Sequence, residues 1–314
     1  MKALQSYLLL AATILIASSA SAFSLTKSDR DFAELKGPVK IVKEFSLQKN
    51  DYFDVDTIAK YERLGKPLPE YNKTLELATV YDMQGRLLEE LDQVLERYKV
   101  CSYSQTLSTA MMPEITDTYD SSNGKLVRRY SIQLDTRGVP VYATAVDENN
   151  KIIFTEEYSA SVIDGVVNYK CVHSNYDGTY STQTFTLRDD LSFSSLTTDN
   201  GSKKTTFIIN TDEKPLEIVS ESLYITSRQT ITYYPDQTVT TYTDNFNPMP
   251  QRVVSKLDSH GNTVTKSTYD SEGNLIDQIT YQYTYDNYGN WIKRYEYKNG
   301  SDVPRIMERE ITYY

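Results

Sequence analysis

The chain has 314 residues, with 43 acidic and 33 basic side chains and a formal net charge of −10. This balance argues against a nucleic-acid binder, because phosphate contacts need clustered Lys and Arg. Two histidines and two cysteines are too few ligands for a zinc or iron–sulfur framework. The 27 tyrosines are far above an ordinary share, and Tyr and Thr favour strands, so the composition predicts a folded all-β protein.

The first 22 residues have the organisation of a cleavable signal peptide. Lys2 gives a positive n-region, residues 8–17 form a short apolar h-region, and residues 20–22 (Ala-Ser-Ala) form a cleavage site. A membrane anchor is disfavoured, because a spanning helix needs about 20 apolar residues. No Cys follows the h-region, so a lipid attachment site is absent from this pattern. We expect a mature chain from Phe23, soluble and without a membrane span, in the periplasm or outside the cell.

The segment after the cleavage site mixes helix and strand signals. A capping-box pattern predicts a short helix over residues 29–36, and residues 39–48 alternate as a strand does. A second short helix is predicted over 56–64, and strand character returns over 74–81. We therefore expect residues 23–80 to form an N-terminal cap with short helices and the first strands.

One motif, Tyr-Asp-x-x-Gly, recurs from Tyr81 onward. The Asp carboxylate can accept backbone N–H groups two residues on, and the Gly supplies the positive φ that ends a hairpin turn. Each copy is therefore predicted to be a hairpin corner, and residues 81–314 a β-repeat region that is best matched at 253–314. The predicted turn-forming residues are Asp82, Gly85, Asp258, Gly261, Asp270, Gly273, Asp286 and Gly289.

The strands between these turns alternate in polarity. On the strand that ends at Tyr285, the odd-numbered residues from Ile279 onward share one side, and the pattern predicts that Trp291, Tyr295 and Tyr297 continue this aromatic stripe on the next strand. At about 14 residues per strand and turn, the mature chain makes about 18 strands, and open sheets of that size curl, split or close.

The predicted fold class is all-β. We expect an antiparallel meander of hairpin repeats that forms a long coiled or curved sheet, with its Tyr-lined face turned inward. An alternative is two packed sheets that separate within residues 185–215, where the Asp-Gly signals are weakest.

These copies resemble the YD repeats of the RHS family, whose pattern is Tyr-Asp-x-x-Gly-Arg/Asn-Leu. Residues 85–87, 273–275 and 289–291 carry the second half of this pattern, and residues 35–40 look like the start of small exported bacterial YD-repeat proteins. Large RHS proteins wind such strands into a hollow shell around a C-terminal toxin. This sequence shows no self-cleaving core motif and no effector, and it is expected to be too short to close such a shell. The resemblance implies a β-rich repeat scaffold, sometimes labelled sugar-binding.

Metal and catalytic patterns are weak. A calcium loop that began at Asp286 would have Tyr288 at its third position, where an oxygen ligand is needed. One that began at Asp270 would have Tyr281 at its twelfth position, where an acid is needed. Adjacent acids such as those at 89–90 point to opposite faces of a strand, so a solvated surface explains them better than a catalytic pair. No nucleophile elbow or nucleotide loop occurs. We expect no metal, no cofactor and no catalytic residue, and therefore no enzyme.

Two sets of residues each allow two interpretations. Cys101 and Cys171 form either a disulfide, which export would allow, or two buried free thiols. The aromatic stripe is either the stacked core of a narrow sheet or an exposed ligand-binding platform for a sugar or a partner protein. Its members are Tyr281, Tyr283, Tyr285, Trp291, Tyr295 and Tyr297.

The sequence therefore favours a non-catalytic exported scaffold or interaction protein of the bacterial envelope. The first alternative is a carbohydrate-binding module that uses the Tyr and Trp face, and the second is a glycan-active enzyme. An outer-membrane barrel is disfavoured, because Thr312, Glu310 and Glu308 occupy the face of the last strand where lipid-facing residues would be apolar. The partner is a protein or a glycan, and the oligomeric state stays open.

Overall fold

One antiparallel β-sheet contains nearly all of the regular structure. The computed structural model describes residues 29–49, 71–104, 112–163, 166–188, 193–212, 214–246, 251–301 and 303–314. These residues form one short helix, α1 (Asp29–Phe32), and twenty strands. The predicted signal peptide and the predicted helix over 56–64 lie outside the described residues.

The strands follow one another along the chain with short connections. They are β1 (Val39–Lys49), β2 (Tyr71–Tyr81), β3 (Leu87–Asp92), β4 (Arg97–Ser102), β5 (Ile115–Asp120), β6 (Leu126–Leu134), β7 (Pro140–Val146), β8 (Ile152–Ile163), β9 (Val166–Asn175), β10 (Tyr180–Leu187), β11 (Phe193–Asp199), β12 (Lys203–Ile209), β13 (Pro215–Ser222), β14 (Thr226–Tyr233), β15 (Gln237–Asp244), β16 (Gln251–Leu257), β17 (Thr263–Tyr269), β18 (Leu275–Tyr285), β19 (Trp291–Lys298) and β20 (Arg305–Tyr313).

The sheet closes on itself into a barrel. β1 pairs with β2, and on its other side it pairs with β20, where Val42 faces Ile311. Each of the other described strands pairs antiparallel with its predecessor and its successor in the chain. No described strand therefore has a free edge. A circular barrel of this strand number would measure about 40 Å across at ordinary strand spacing and tilt.

The predicted open sheet is wrong. Pairing of β1 with β20 closes the meander, which the sequence predicted to remain a long coiled or curved sheet. The alternative break within 185–215 is also wrong, because β10, β11, β12 and β13 are continuously paired. Turn motifs specify which neighbours pair, whereas closure joins residues as far apart as Glu44 and Arg309, 265 positions away.

Helical structure is almost absent from the described residues. The helix predicted over 29–36 is reduced to the four residues of α1. Glu34 adopts a φ of 54°, in the left-handed region, and this conformation cannot continue a right-handed helix. β1 and β2, which fall within the predicted N-terminal cap, are strands of the same barrel as the rest.

A β-bulge follows the turns that contain the Tyr-Asp-x-x-Gly motif or its Leu-Asp form. Tyr285 pairs with Trp291 but Thr284 pairs with Lys293, so Ile292 is an extra residue in the returning strand. The same register shift accompanies the turns that follow β2, β6, β16 and β17. Because a bulge displaces the alternation by one residue, the first side chain of a returning strand does not share a face with the third.

The register divides the barrel into two faces, because directly paired residues point to the same side of a sheet. Most buried side chains of the described strands lie on one of these faces; the exceptions are Asp117, Ser267 and Ile306. The described residues form no second layer over the sheet, so the buried face is the concave one, where side chains converge. We call it the inner face and the opposite one the outer face.

The largest hydrophobic cluster lies on or against the inner face between β7 and β13. Phe185 is 1% exposed, stacks on Tyr169 with ring centroids 5.2 Å apart, and meets the edge of Phe193 at 5.5 Å. This packing anchors one side of the barrel. The buried members of the cluster are Val139, Tyr169, Phe185, Leu187, Phe193, Leu196 and Phe207.

Strands β14 to β17 carry polar side chains on both faces. On the outer face, Thr230 pairs with Thr241, and Lys256 pairs with Thr265. The inner face of the same strands is also polar, and its members include Ser227, Gln229, Thr238, Thr240, Ser255, Lys266 and Thr268. Polar residues interrupt the apolar side chains of these strands, such as Val239 and Val254 on the outer face, so this quarter of the barrel has no continuous apolar band on either side.

An N-terminal segment, residues 29–38, lies across the strand ends at the seam between β1 and β20. At one end, the Leu87 amide donates to the Asp29 carboxylate at 2.7 Å. At the other end, the Lys36 amide donates to Asn290 Oδ1 at 2.7 Å, and Asn290 Nδ2 donates to the Lys36 carbonyl at 2.8 Å. The segment therefore ties the turn after β2 to the turn after β18.

Replacing Gly37 by alanine is expected to destabilise the protein by about 2 kcal/mol, because Gly37 combines a left-handed conformation with a close neighbour. Its φ is +78°, and an added Cβ would lie 2.5 Å from the Tyr288 ring. Gly273→Ala is the matched control, since φ is +88° there but nothing lies within 4 Å of the added Cβ. Thermal unfolding of both variants checks this; equal losses would show that the contact with Tyr288 contributes nothing.

Candidate functional site

A row of stacked rings follows the inner face of β18. Tyr281 and Tyr283 have centroids 6.2 Å apart with an interplanar angle of 24°, and Tyr283 and Tyr285 have centroids 5.8 Å apart at 29°. His260, in the turn after β16, extends the row by stacking on Tyr285 at 3.9 Å. All three tyrosines are half-buried. The inner face therefore presents a continuous aromatic strip from the middle of β18 to its end.

Hydrogen bonds hold two of these rings in place. The Tyr283 hydroxyl donates to the Thr263 carbonyl at 2.8 Å, and burial raises the pKa of Tyr283 to about 12. The Tyr285 hydroxyl donates to the Asp258 carboxylate and accepts Asn262 Nδ2 at 3.1 Å. Both hydroxyls thus stay protonated near neutral pH and serve as fixed hydrogen-bonding groups.

The indole of Trp291 lies beside this strip, between two arginines. Trp291 is 9% exposed, and its ring centroid is 6.4 Å from that of Tyr283. Arg309 Cζ lies 3.7 Å from the indole centroid, and Arg294 Cζ lies 5.2 Å from it and 5.8 Å from the Tyr281 ring. Strands β18, β19 and β20 thus bring three ring faces and two guanidinium groups together.

The two arginines differ in their partners. Arg309 Nε and Nη2 donate to Glu44 Oε1 at 2.8 and 2.7 Å, which neutralises the charge across the seam between β20 and β1. Burial lowers the pKa of Arg309, and the Glu44 carboxylate opposes that shift. Arg294 forms no ion pair with any described residue, and its buried Nε has no hydrogen-bond partner among them.

The structure separates the six predicted platform residues into two groups. Tyr281, Tyr283, Tyr285 and Trp291 lie together on the inner face. Tyr295 and Tyr297 pair with Gln282 and Thr280 and therefore point to the outer face. The bulge at Ile292 is the cause, because it shifts the alternation between Trp291 and the rest of β19.

The predicted turn residues occupy the corners of the hairpins. Asp258 Oδ1 accepts the amides of His260 and Asn262, both at 2.9 Å. Asp270 and Asp286 accept equivalent pairs of amides, and Asp82 accepts the Arg86 amide. The glycines of these turns, Gly85, Gly261, Gly273 and Gly289, have φ between +82° and +89°.

The tyrosines that end β18 and β20 have a role that the motif did not reveal. Tyr285 donates to Asp258, and Tyr313 donates to Asp286, in each case to the Asp 27 positions earlier. Asn262 and Asn290 reinforce these contacts by donating to the same two hydroxyls. The hydroxyl at the end of one strand therefore locks the turn at the same end of the barrel two strands earlier.

A second polar cluster lies on the inner face of β8 and β9. Glu156 accepts hydrogen bonds from the hydroxyls of Tyr130 and Tyr158 at 2.8 and 2.9 Å, and its other oxygen lies 3.1 Å from His173 Nδ1. His173 Nε2 contacts Asn175 Oδ1 at 3.1 Å. Both imidazole nitrogens therefore have partners, and strand alternation alone could have placed Glu156 with Tyr158 but not with His173.

Cys101 and Cys171 are buried free thiols in the structure. They lie on β4 and β9, which are separated by four strands in the sheet. Burial raises the pKa of Cys101 to about 11 and that of Cys171 to about 12, so both thiols are protonated near neutral pH.

Within the described ranges, no three His, Cys, Asp or Glu side chains converge on a point where they could hold a metal ion. No helix within those ranges has the length and apolar character needed to cross a membrane.

Sequence comparison identifies no relatives: no protein-family model matches the chain, and no curated protein does. Among solved structures, the chain is similar to a porin-like protein from Bacteroides uniformis, with 12% identity, coverage of 88% of this chain and 98% of that one, and a TM-score of 0.34. A porin-like protein from Bacteroides vulgatus has 7% identity, the same coverage and a TM-score of 0.24. The Tc holotoxin pore of Photorhabdus luminescens has 10% identity, coverage of 72% and 16%, and a TM-score of 0.23.

TM-scores this low carry no argument about function. The assignment to YD-repeat, RHS-like proteins is nevertheless wrong, because the chain forms a single closed barrel of twenty antiparallel strands and matches no family model. The motif behind that assignment is a hairpin corner with a following bulge, a local structure that any antiparallel meander can use.

Proposed function

We propose that this chain is a non-catalytic, exported β-barrel of the bacterial envelope that binds carbohydrate on the inner face of β18 and β19. The observation that carries the proposal is the strip of Tyr281, Tyr283 and Tyr285, half-buried and stacked, with Trp291 beside it. Aromatic faces flanked by a few oriented polar groups are suited to a sugar ring, which is apolar on its face and carries hydroxyl groups at its edge.

The side chains of strands β14 to β17 support an aqueous environment for the barrel. These strands have Thr, Ser, Gln and Lys on both faces and Arg on the outer one, so neither face supplies the continuous apolar band that a lipid-embedded barrel needs. A water-filled compartment, the periplasm or the exterior, is therefore the proposed location, in keeping with the signal-peptide pattern.

The absence of catalysis is proposed from the state of the reactive groups. The thiols of Cys101 and Cys171 are buried and protonated, and both nitrogens of His173 are engaged by Glu156 and Asn175. His260 is stacked on Tyr285 at a turn. None of these groups is arranged as a nucleophile beside a free base.

A glycan array probed with the mature chain, residues 23–314, tests the binding proposal. Wild type is expected to bind glycans, and Tyr281→Ala is expected to weaken binding about fivefold, since one aromatic contact is worth about 1 kcal/mol. The Tyr281 hydroxyl has no hydrogen bond to another described residue, so circular dichroism is expected to show an intact fold.

Tyr295→Ala is the matched control, because Tyr295 lies on the same pair of strands but points to the outer face. It is expected to leave glycan binding unchanged. Failure of the wild type to bind any glycan on the array would contradict the proposal, and equal loss in Tyr281→Ala and Tyr295→Ala would contradict the inner-face location.

A further inference from the structure

The aromatic strip contains one cation that the described residues leave unmatched. Arg309 is paired with Glu44, but Arg294 has no ion pair among them, and its Nε is buried without an acceptor. The guanidinium of Arg294 lies beside the rings of Tyr281 and Trp291, at 5.8 and 5.2 Å from their centroids. A guanidinium at the edge of an aromatic platform is therefore available to a ligand.

The chemistry of this group indicates what it would bind. A planar guanidinium offers donors in a fixed fork that matches the paired oxygens of a carboxylate or phosphate, and charge-assisted bonds of this kind are about twice as strong as neutral ones. Leaving a buried donor unpaired costs free energy. An acceptor supplied by the ligand therefore contributes more binding free energy here than it would at an exposed arginine.

We propose that Arg294 binds the anionic oxygen group of an acidic sugar while the sugar ring lies on Tyr281 and Tyr283. This inference rests on the proposed carbohydrate site and names the class of ligand that the site prefers. It assigns Arg294 a role in specificity, since the rings bind the face of any sugar and the guanidinium distinguishes a charged one.

Charged side chains of both signs lie near Arg294 on the inner face. Glu296 pairs directly with Tyr281 across β18 and β19 and points to the same face. Asp277 lies on that face too, four residues before Tyr281 on β18. Lys266 and Lys298 lie on the same face, because both pair with Ile279, which stands between Asp277 and Tyr281 on β18. These lysines offset the two carboxylates, so the acids do not prevent an anionic group from reaching Arg294.

Three small sugar derivatives test the preference by calorimetric titration of the mature chain. Methyl β-glucuronide and methyl β-glucoside differ only at C6, where the first has a carboxylate and the second a hydroxymethyl group; glucose 6-phosphate tests phosphate at the same carbon. At least one of the two anions is expected to bind the wild type about 10- to 100-fold more tightly than the glucoside. Comparison of the two anions shows whether Arg294 donates to a carboxylate or to a phosphate.

Arg294→Gln is expected to abolish that preference while retaining binding of the glucoside. Lys293→Gln removes the same charge from the adjacent residue, which points to the outer face and pairs with Glu308, so it is expected to retain the preference. Should Arg294→Gln unfold, Arg294→Lys keeps the charge without the planar fork and is expected to reduce the preference.

The outcomes separate this inference from the function on which it rests. Equal binding of all three compounds, or an equal effect of Arg294→Gln and Lys293→Gln, would overturn the role of Arg294 and leave a carbohydrate site in place. Absence of binding to these compounds and to every glycan on the array would overturn both.

Discussion

Replacing Arg309 by alanine is expected to lower the free energy of unfolding by about 3 to 5 kcal/mol. The side chains of Arg309 and Glu44 are only 16% and 21% exposed, and they form two hydrogen bonds across the seam between β20 and β1. Removing the guanidinium leaves the Glu44 carboxylate buried without its partner and uncovers the face of Trp291. Denaturation in urea, followed by tryptophan fluorescence, measures this loss.

Lys73→Ala provides the comparison at the same seam. Lys73 bridges Glu308 and Glu310 on the outer face, at 3.2 and 2.8 Å, where its side chain is 37% exposed. Exposed ion pairs of this kind contribute less than about 1 kcal/mol. A loss for Arg309→Ala no larger than that for Lys73→Ala would show that the buried pair does not hold the seam closed.

Phe185→Ala is expected to destabilise the barrel by about 3 to 5 kcal/mol, through lost burial and the cavity that remains. Phe185 is 1% exposed and lies between Tyr169 and Phe193 on the inner face. The cavity would open toward the lumen of the barrel, where water can fill it. The loss is therefore expected at the lower end of this range. Urea denaturation again measures the change.

Thr184→Ala is the control for that position. Thr184 precedes Phe185 on β10 but is exposed on the outer face, and its loss is expected to cost less than about 1 kcal/mol. Comparable losses for the two variants would contradict the assignment of the buried face as the one that stabilises the barrel.

Local patterns predicted the hairpin corners from particular residues. The Asp carboxylate and the Gly of each motif satisfy turn requirements within five residues, so Asp258 and Gly261 could be placed without knowledge of any distant strand. The alternation of β18 likewise placed Tyr281, Tyr283 and Tyr285 on one face, which the ring stacking shows.

Two features of the candidate site could not be predicted in this way. The bulge at Ile292 reverses the alternation on β19, so Tyr295 and Tyr297 point outward while Trp291 points inward. The pairing of Arg309 with Glu44 depends on contact between the last strand and the first. No signal in the residues around Arg294 distinguishes it from an exposed arginine, because its neighbours come from three strands.

The high count of Tyr predicted strands, and the Tyr-Asp-x-x-Gly motif predicted hairpin turns, because those properties depend on residue types and on contacts within a few positions. Closure of the sheet, the direction of each aromatic ring after a bulge and the isolation of Arg294 depend instead on pairings across 265 positions and on the accumulated register of twenty strands. Each bulge shifts that register by one residue. The inner face, and with it the proposed sugar site, therefore exists only once the barrel is closed.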